Sequence, residues 1–214
     1  FMDYSKYSQD SNYFNLLPHF EGLSAILLKK FYQIGNYDQQ FCYGFSFGSR
    51  LCVEAGINLG EQSIGRMDLC ELTGPGFEPI LFFWPNPRAR DPKKAAKYVQ
   101  CIHTSSDKGT TTYNCHQNYR MGQCGFSQPA AGPYPLGSHG LCPYFYNQAF
   151  NYDFVPNNVF NCASWNMANT TEDTRMGYLG GNEGDAVRGE IFVATAHYPP
   201  YLVVNGVVEN TPNV

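Results

Sequence analysis

Near the start of the chain, the apolar positions first follow a helical period and then alternate as they do in a β-strand. Apolar residues recur at helical spacing between residues 19 and 34, and Gly35 follows as a stop signal. From residue 41 onward, alternate residues share one face in two consecutive runs, which Gly48-Ser49-Arg50 separates. This pattern predicts a β-hairpin over residues 41–59.

Shorter segments predict further strands and one more helix. Residues 66–72, 109–115 and 188–198 have the composition of strands, and the apolar run 79–84 is typical of a buried strand. Asp91-Pro92 begins a predicted helix that extends to about Cys101, because Asp caps free N–H groups and Pro fits the first helical position. Two β-branched runs flank Asn205-Gly206, a dipeptide that predicts a terminal hairpin.

Together these elements predict an α+β fold that is mainly β, with two short helices and antiparallel hairpins. Residues 1–15 have neither a helical nor a strand period, so we expect an extended N-terminal arm there. Residues 16–214 then form a single domain stapled by disulfides.

Cysteine usage indicates the compartment in which the protein works. The eight cysteines include no C-x-x-C pair, and their even number predicts four disulfides whose pairing the sequence leaves open. Disulfides persist in oxidising compartments, so we expect a secreted or cell-surface protein. The predicted disulfide residues are Cys42, Cys52, Cys70, Cys101, Cys115, Cys124, Cys142 and Cys162.

Two further features agree with a secretory route. Asn169-Thr170-Thr171 is an N-glycosylation acceptor, and we expect that a signal or propeptide was removed before Phe1, although a fragment of a longer polypeptide would have the same start. The net charge of only −4 gives no reason to expect a nucleic acid or an anionic membrane as partner. The longest apolar runs are far too short for a membrane span.

Candidate chemistry is sparse. Asn182, Glu183, Asp185 and Glu190 offer oxygen ligands on a glycine-rich segment that calcium could use, although their spacing differs from that of an EF-hand loop. His103 and His116 lie beside cysteines without a closed zinc pattern. We assign no catalytic residue and no cofactor. We expect no histidine or carboxylate pair in catalytic geometry, unless two of four clustered carboxylates face each other as in a glycosidase. Those four are Glu172, Asp173, Glu183 and Asp185.

Aromatic residues are abundant, since Phe, Tyr and Trp make up 16% of the chain. Such residues anchor protein contacts and also stack on sugar rings. The candidates are Trp84, Tyr134, Tyr144, Tyr146, Tyr152 and Trp165. The function expected first is an extracellular structural glycoprotein that self-assembles through its termini and aromatic loops. A glycan- or surface-binding module and a secreted hydrolase remain as alternatives.

Overall fold

The structure is a computed structural model. It describes residues 2–3, 6, 12–78, 86, 88–110, 115–133, 137–163, 166–180, 187–204 and 207–208.

A five-stranded sheet forms the centre of the described fold. Its strands are β1 (Phe41–Phe45), β2 (Ile64–Cys70), β3 (Ala96–His103), β4 (Gln117–Met121) and β5 (Gly189–Val193). They lie side by side in chain order, and each pairs with the next in parallel. The fold is therefore α/β, and the prediction of a mainly β fold built from antiparallel hairpins is wrong.

Helices and loops cover both faces of this sheet. The α-helices are α1 (Phe20–Ile34), α2 (Phe47–Leu59) and α3 (Cys142–Gln148). Helices α1 and α2 share one buried core with the face of the sheet that carries Met67, Leu69 and Val99. Helix α3 packs on the opposite face, in a core with Tyr119 and Ile191. Helix α1 confirms the helix predicted over residues 19–34.

The predicted hairpin over residues 41–59 is wrong, because its second half is helix α2. This helix is buried on two sides. Val53 and Ala55 face the sheet core, whereas Phe47 and Leu51 pack with residues of α1. A helix that is buried on two sides carries apolar residues beyond a single stripe. Some of its apolar positions therefore fall two residues apart, as they would in a strand.

The second predicted helix is also wrong. Oδ1 of Asp91 accepts a hydrogen bond from the backbone N–H of Lys93 at 3.0 Å, but only a 3-10 turn follows, at Pro92–Lys94. The chain then enters β3, whose residues are almost all buried. This strand lies between β2 and β4 with both faces covered, so that polar residues such as Gln100 and His103 are buried along with the apolar ones and no alternation of apolar and polar positions identifies it.

Several other predictions fall at the ends of the chain or in segments outside the description. Two short strands, β6 (Val203–Val204) and β7 (Val207–Val208), pair antiparallel around the predicted turn, although the turn residues themselves lie outside the described residues. The run 79–84 and residues 111–114 also lie outside them. So does most of the predicted arm, and its last residues begin a 3-10 helix at Tyr13–His19. Within the described ranges, no helix has the length and apolarity to cross a membrane.

All eight cysteines are paired, in agreement with the predicted disulfides. The pairs are Cys42–Cys52, Cys70–Cys142, Cys101–Cys115 and Cys124–Cys162. Four disulfides indicate an oxidising environment of the extracellular type. Three of these bonds have at least one cysteine in a strand of the parallel sheet, so they fix loops and helices to the core.

Candidate active site

A serine occupies the sharp turn between the first strand and the helix that follows it. Ser46 directly follows β1 and precedes α2, with φ 53° and ψ −120°. A positive φ is uncommon for a residue other than glycine, and such strained residues cluster at functional sites. The turn is tight, because a Cβ added at Gly44 would lie only 2.6 Å from the Cα of Ser49. Ser46 is therefore held, half-buried, at the carboxyl edge of the sheet.

A buried carboxylate lies at the same edge, directly after β2. Glu71 also has a positive φ, 51°, and its side chain is fully buried. Its Oε1 accepts hydrogen bonds from the backbone N–H groups of Thr104 and Ser105, the latter at 3.0 Å. Its Oε2 accepts from the hydroxyl of Ser105 at 2.5 Å. Three donors therefore fix the carboxylate and offset the cost of burying it.

A histidine connects these two residues. His139 begins a 3-10 turn at His139–Leu141, just before α3, and its ring lies beside the ring of Phe45. Its Nδ1 is 2.9 Å from Oε2 of Glu71, and its Nε2 is 3.0 Å from Oγ of Ser46. Because a carboxylate can only accept, we assign the ring proton to Nδ1, which leaves Nε2 free to accept the proton of the Ser46 hydroxyl.

These three residues have the geometry of a nucleophile, a general base and an orienting acid. A base within hydrogen-bond distance of a serine hydroxyl, itself oriented by a third group, is the arrangement that activates serine for covalent catalysis. The chain order Ser46, Glu71, His139 is that of α/β-hydrolase triads, in which the serine occupies a strand-to-helix turn. The expectation that no histidine lies in catalytic geometry is therefore wrong.

Sequence reasoning missed one local signal for this site. Gly44-Phe45-Ser46-Phe47-Gly48 has the form G-x-S-x-G of a nucleophile elbow. Its alternating aromatic residues placed it in a predicted hairpin, although the motif requires a strand followed by a helix. Glu71 and His139 have no comparable local signal.

The backbone around the triad is tied together by further hydrogen bonds. The N–H of Ser46 donates to the carbonyl of Cys70 at 2.9 Å, which connects the serine turn to the residue before Glu71. The buried hydroxyl of Ser49 is hydrogen-bonded to the carbonyls of Gly44, at 2.8 Å, and Cys70, at 3.1 Å. These contacts fix the serine turn to the end of β2, so the nucleophile and the acid share one rigid frame.

A buried glutamine anchors the loop that carries His139. The side-chain amide of Gln128 donates to the carbonyls of Thr104 and Met121, at 2.9 and 2.8 Å. Its backbone N–H donates to the hydroxyl of Ser138, the residue before His139, at 2.9 Å. The histidine loop is thereby joined to the ends of β3 and β4.

The predicted aromatic contact residues lie in different environments. Tyr144 and Tyr152 are exposed, at 57% and 43% of their surface. Tyr146 is buried and donates a 2.6 Å hydrogen bond to Asp68, so it does not belong to an exposed platform. Trp84, Tyr134 and Trp165 lie outside the described residues.

Asp68, the partner of Tyr146, belongs to a second buried polar network. It forms a two-pronged ion pair with Arg66, at 2.8 and 3.0 Å. Desolvation of the buried carboxyl raises the pKa of Asp68, and the ion pair and hydrogen bonds oppose that shift. This network packs α3 against β2.

The predicted modification and metal residues are placed as follows. Asn169 is exposed. Glu190 forms an ion pair with Arg120, while Asn182, Glu183 and Asp185 lie outside the described residues. Across the part of the chain that the structure describes, no group of three metal-binding side chains comes together.

The two histidines considered for zinc have structural surroundings instead. Burial lowers the pKa of His103 to about 3, and its Nε2 lies 3.5 Å from Oδ1 of Asn118. Nδ1 of His116 accepts the backbone N–H of Val99 at 3.0 Å. Desolvation, with Arg188 and Lys93 nearby, lowers the pKa of His116 to about 4. Their neighbouring cysteines form a disulfide with each other, which leaves no thiolate for a metal.

Comparisons with known proteins add no family to this description. The chain matches no protein-family model, and no curated protein matches it significantly.

Proposed function

We propose that this protein is a serine hydrolase that transfers an acyl group from a carboxylic ester to water. The observation that carries the proposal is the pair of hydrogen bonds of His139, to Ser46 on one side and to Glu71 on the other. A secreted hydrolase was the last alternative expected from the sequence, and the geometry around His139 makes it the function that we favour.

The reaction divides into two proton-coupled steps. Oγ of Ser46 attacks the ester carbonyl while Nε2 of His139 accepts the serine proton, and the same proton then passes to the departing alcohol. A water molecule next loses a proton to His139 and attacks the acyl-serine, which releases the carboxylic acid and restores the Ser46 hydroxyl. Glu71 keeps its charge throughout and stabilises the imidazolium that forms twice.

The start of α2 supports the same reaction. The N–H of the residue after the nucleophile, here Phe47, is one of the donors that stabilise the oxyanion in a nucleophile elbow. Helix α2 is 13 residues long, and the positive end of its dipole points toward the site of attack. Negative charge that develops on the carbonyl oxygen is therefore favoured at this position.

Covalent labelling tests the nucleophile. We expect a fluorophosphonate probe to modify Ser46, as located by peptide mass measurement, and p-nitrophenyl butyrate to be hydrolysed. Ser46→Ala should abolish labelling and lower kcat by about 10³-fold or more. Ser24→Ala, on the helix α1, is the matched control and should keep both. A wild-type protein that is neither labelled nor active would contradict the proposal.

We also propose secretion as the route of this protein, with a glycan on Asn169. The four disulfides and the exposed position of Asn169 support it. Mass measurement of native material with and without glycosidase treatment tests the glycan, and an unmodified Asn169 would contradict it.

Self-association through aromatic loops, and glycan binding by the same residues, remain secondary proposals. The exposed rings of Tyr144 and Tyr152 support them. Sedimentation at rising concentration tests self-association, with Tyr144→Ser as the variant and the wild type as reference. A wild type that stays monomeric would contradict it.

A further inference from the structure

We propose that the Cys70–Cys142 disulfide is a positioning element for His139, in addition to its role in stability. This inference rests on the proposed hydrolase function. Cys70 is the residue before Glu71, and Cys142 is the third residue after His139. The disulfide therefore joins the segment that carries the acid to the segment that carries the base.

The geometry of the two segments makes this connection short. The 3-10 turn that begins at His139 runs directly into α3, which begins at Cys142. Residues three apart in such a turn lie on the same side, so the side chains of His139 and Cys142 both face the end of β2. On the other side, the positive φ of Glu71 breaks the strand alternation, so that Cys70 and Glu71 can both reach the histidine segment.

The third triad residue is tied to the same cysteine. The carbonyl of Cys70 accepts the N–H of Ser46 and lies 3.1 Å from the hydroxyl of Ser49. Through Cys70, the disulfide therefore connects the serine turn, the acid and the base in one covalent and hydrogen-bonded unit.

The other contacts of the segment that carries His139, the turn His139–Leu141, constrain the position of the histidine less than the disulfide does. Helix α3 has only seven residues, and side chains such as Phe145 and Tyr146 hold it against the core. From Gly122 to Ser138 the described residues contain no strand of the sheet, and the loop is anchored at Gln128 and by the Cys124–Cys162 disulfide, 11 and 15 residues before His139. Packing fixes where α3 lies on the sheet, whereas the disulfide fixes its first turn relative to Glu71. A displacement of about 1 Å at a catalytic group can cost on the order of 100-fold in rate.

The test compares two buried disulfides. The variant is Cys70→Ser with Cys142→Ser, and the control is Cys101→Ser with Cys115→Ser, a pair that is similarly buried but does not flank the triad. We expect the variant to lower kcat for p-nitrophenyl butyrate by about tenfold or more, with KM within about twofold. The control should keep kcat. Rates are measured well below both melting temperatures and divided by the concentration of sites that a fluorophosphonate titrates, so that unfolded molecules do not count.

A second measurement separates positioning from a merely structural role. If the disulfide acts through the contact between His139 and Glu71, its removal in a Glu71→Gln background should cost less than about threefold, because the glutamine already prevents the ring proton of His139 from lying on Nδ1, which is the arrangement that the contact supports. A purely structural effect would cost the same factor in both backgrounds. If the serine variant does not fold, Cys70→Val with Cys142→Ala keeps apolar volume in the core and serves instead.

The outcomes are distinguishable. An active wild type whose disulfide variant keeps kcat, or loses equal factors in both backgrounds, overturns this inference and leaves the proposed function intact. A wild type that is neither active nor labelled at Ser46 overturns both.

Discussion

Replacing Glu71 by Gln exchanges one oxygen for an NH₂ group and is expected to move the ring proton of His139 from Nδ1 to Nε2. Oε1 of Glu71 accepts two backbone N–H groups, from Thr104 and Ser105. A glutamine at this position must keep its carbonyl oxygen there, because an NH₂ group would face two donors. The NH₂ group then faces Nδ1 of His139, at the position where Oε2 of Glu71 accepts a hydrogen bond in the wild-type protein. A donor at that position requires an unprotonated Nδ1, so the ring proton moves to Nε2 and blocks acceptance of the Ser46 proton.

The expected loss follows from this tautomer change. Forcing the wrong tautomer in a serine triad lowers kcat by about 10⁴-fold, which corresponds to about 5.5 kcal/mol of transition-state stabilisation. Most donors of the site keep a partner in the glutamine variant, so we expect a melting temperature close to that of the wild type. Glu71→Ala would instead leave the N–H groups of Thr104 and Ser105 buried without an acceptor. Each such group costs about 1–3 kcal/mol, so loss of folding would obscure the result.

The assay is steady-state hydrolysis of p-nitrophenyl butyrate, with thermal unfolding measured on the same samples. Glu190→Gln is the matched control, since Glu190 also forms an ion pair, with Arg120, but is the second residue of β5, at the amino-terminal edge of the parallel sheet, whereas the triad lies at the carboxyl edge. We expect that control to keep kcat within a small factor. A Glu71→Gln protein within about threefold of the wild type, alongside an inactive Ser46→Ala, would refute the role of Glu71 as the orienting acid.

Two further predictions concern the serine turn and a buried histidine. Gly44→Ala should lower the free energy of unfolding by about 1–3 kcal/mol, since the new Cβ would lie 2.6 Å from the Cα of Ser49. It should also lower kcat, because the turn that presents Ser46 must shift. Urea unfolding measures the loss of stability and steady-state kinetics the loss of kcat. An unchanged kcat would contradict a tightly packed serine turn. For His103, the pKa is about 3 in the folded protein against 6.5 for the ordinary side chain, so only the unfolded chain takes up this proton as the pH falls from about 6.5 toward 3. As the pH falls through that window, the contribution of His103 therefore lowers the free energy of unfolding by about 1.4 kcal/mol per pH unit. Urea unfolding at several pH values should show that His103→Gln removes this pH dependence, whereas His197→Gln, at an exposed position, should not.

The sequence was sufficient for the features that depend on local or countable signals. The stripe of apolar residues before Gly35 predicts α1 because one face of that helix packs on the core and the other meets solvent. The even number of cysteines predicts four disulfides, although only the fold determines that Cys70 pairs with Cys142. The sheet was not predictable in the same way. Its central strand β3 is buried on both faces, so neither alternation nor a helical stripe identifies it.

The triad shows where sequence reasoning stops for a physical reason. Ser46 has a local motif because the turn packs Gly44 too closely against Ser49 for a side chain, and such a requirement is visible within a few consecutive residues. Glu71 and His139 face no such local requirement. They lie 68 residues apart, and His139 lies 93 residues from Ser46. What brings them together is the parallel order of β1 and β2, which places Ser46 and Glu71 at one edge of the sheet, and the packing of α3 on the sheet, which returns the chain to that edge at the Cys70–Cys142 disulfide. Both are properties of the folded chain, and five consecutive residues do not reveal them. A G-x-S-x-G motif in a sequence without a recognised family therefore becomes evidence for catalysis only when a strand precedes it and a helix follows.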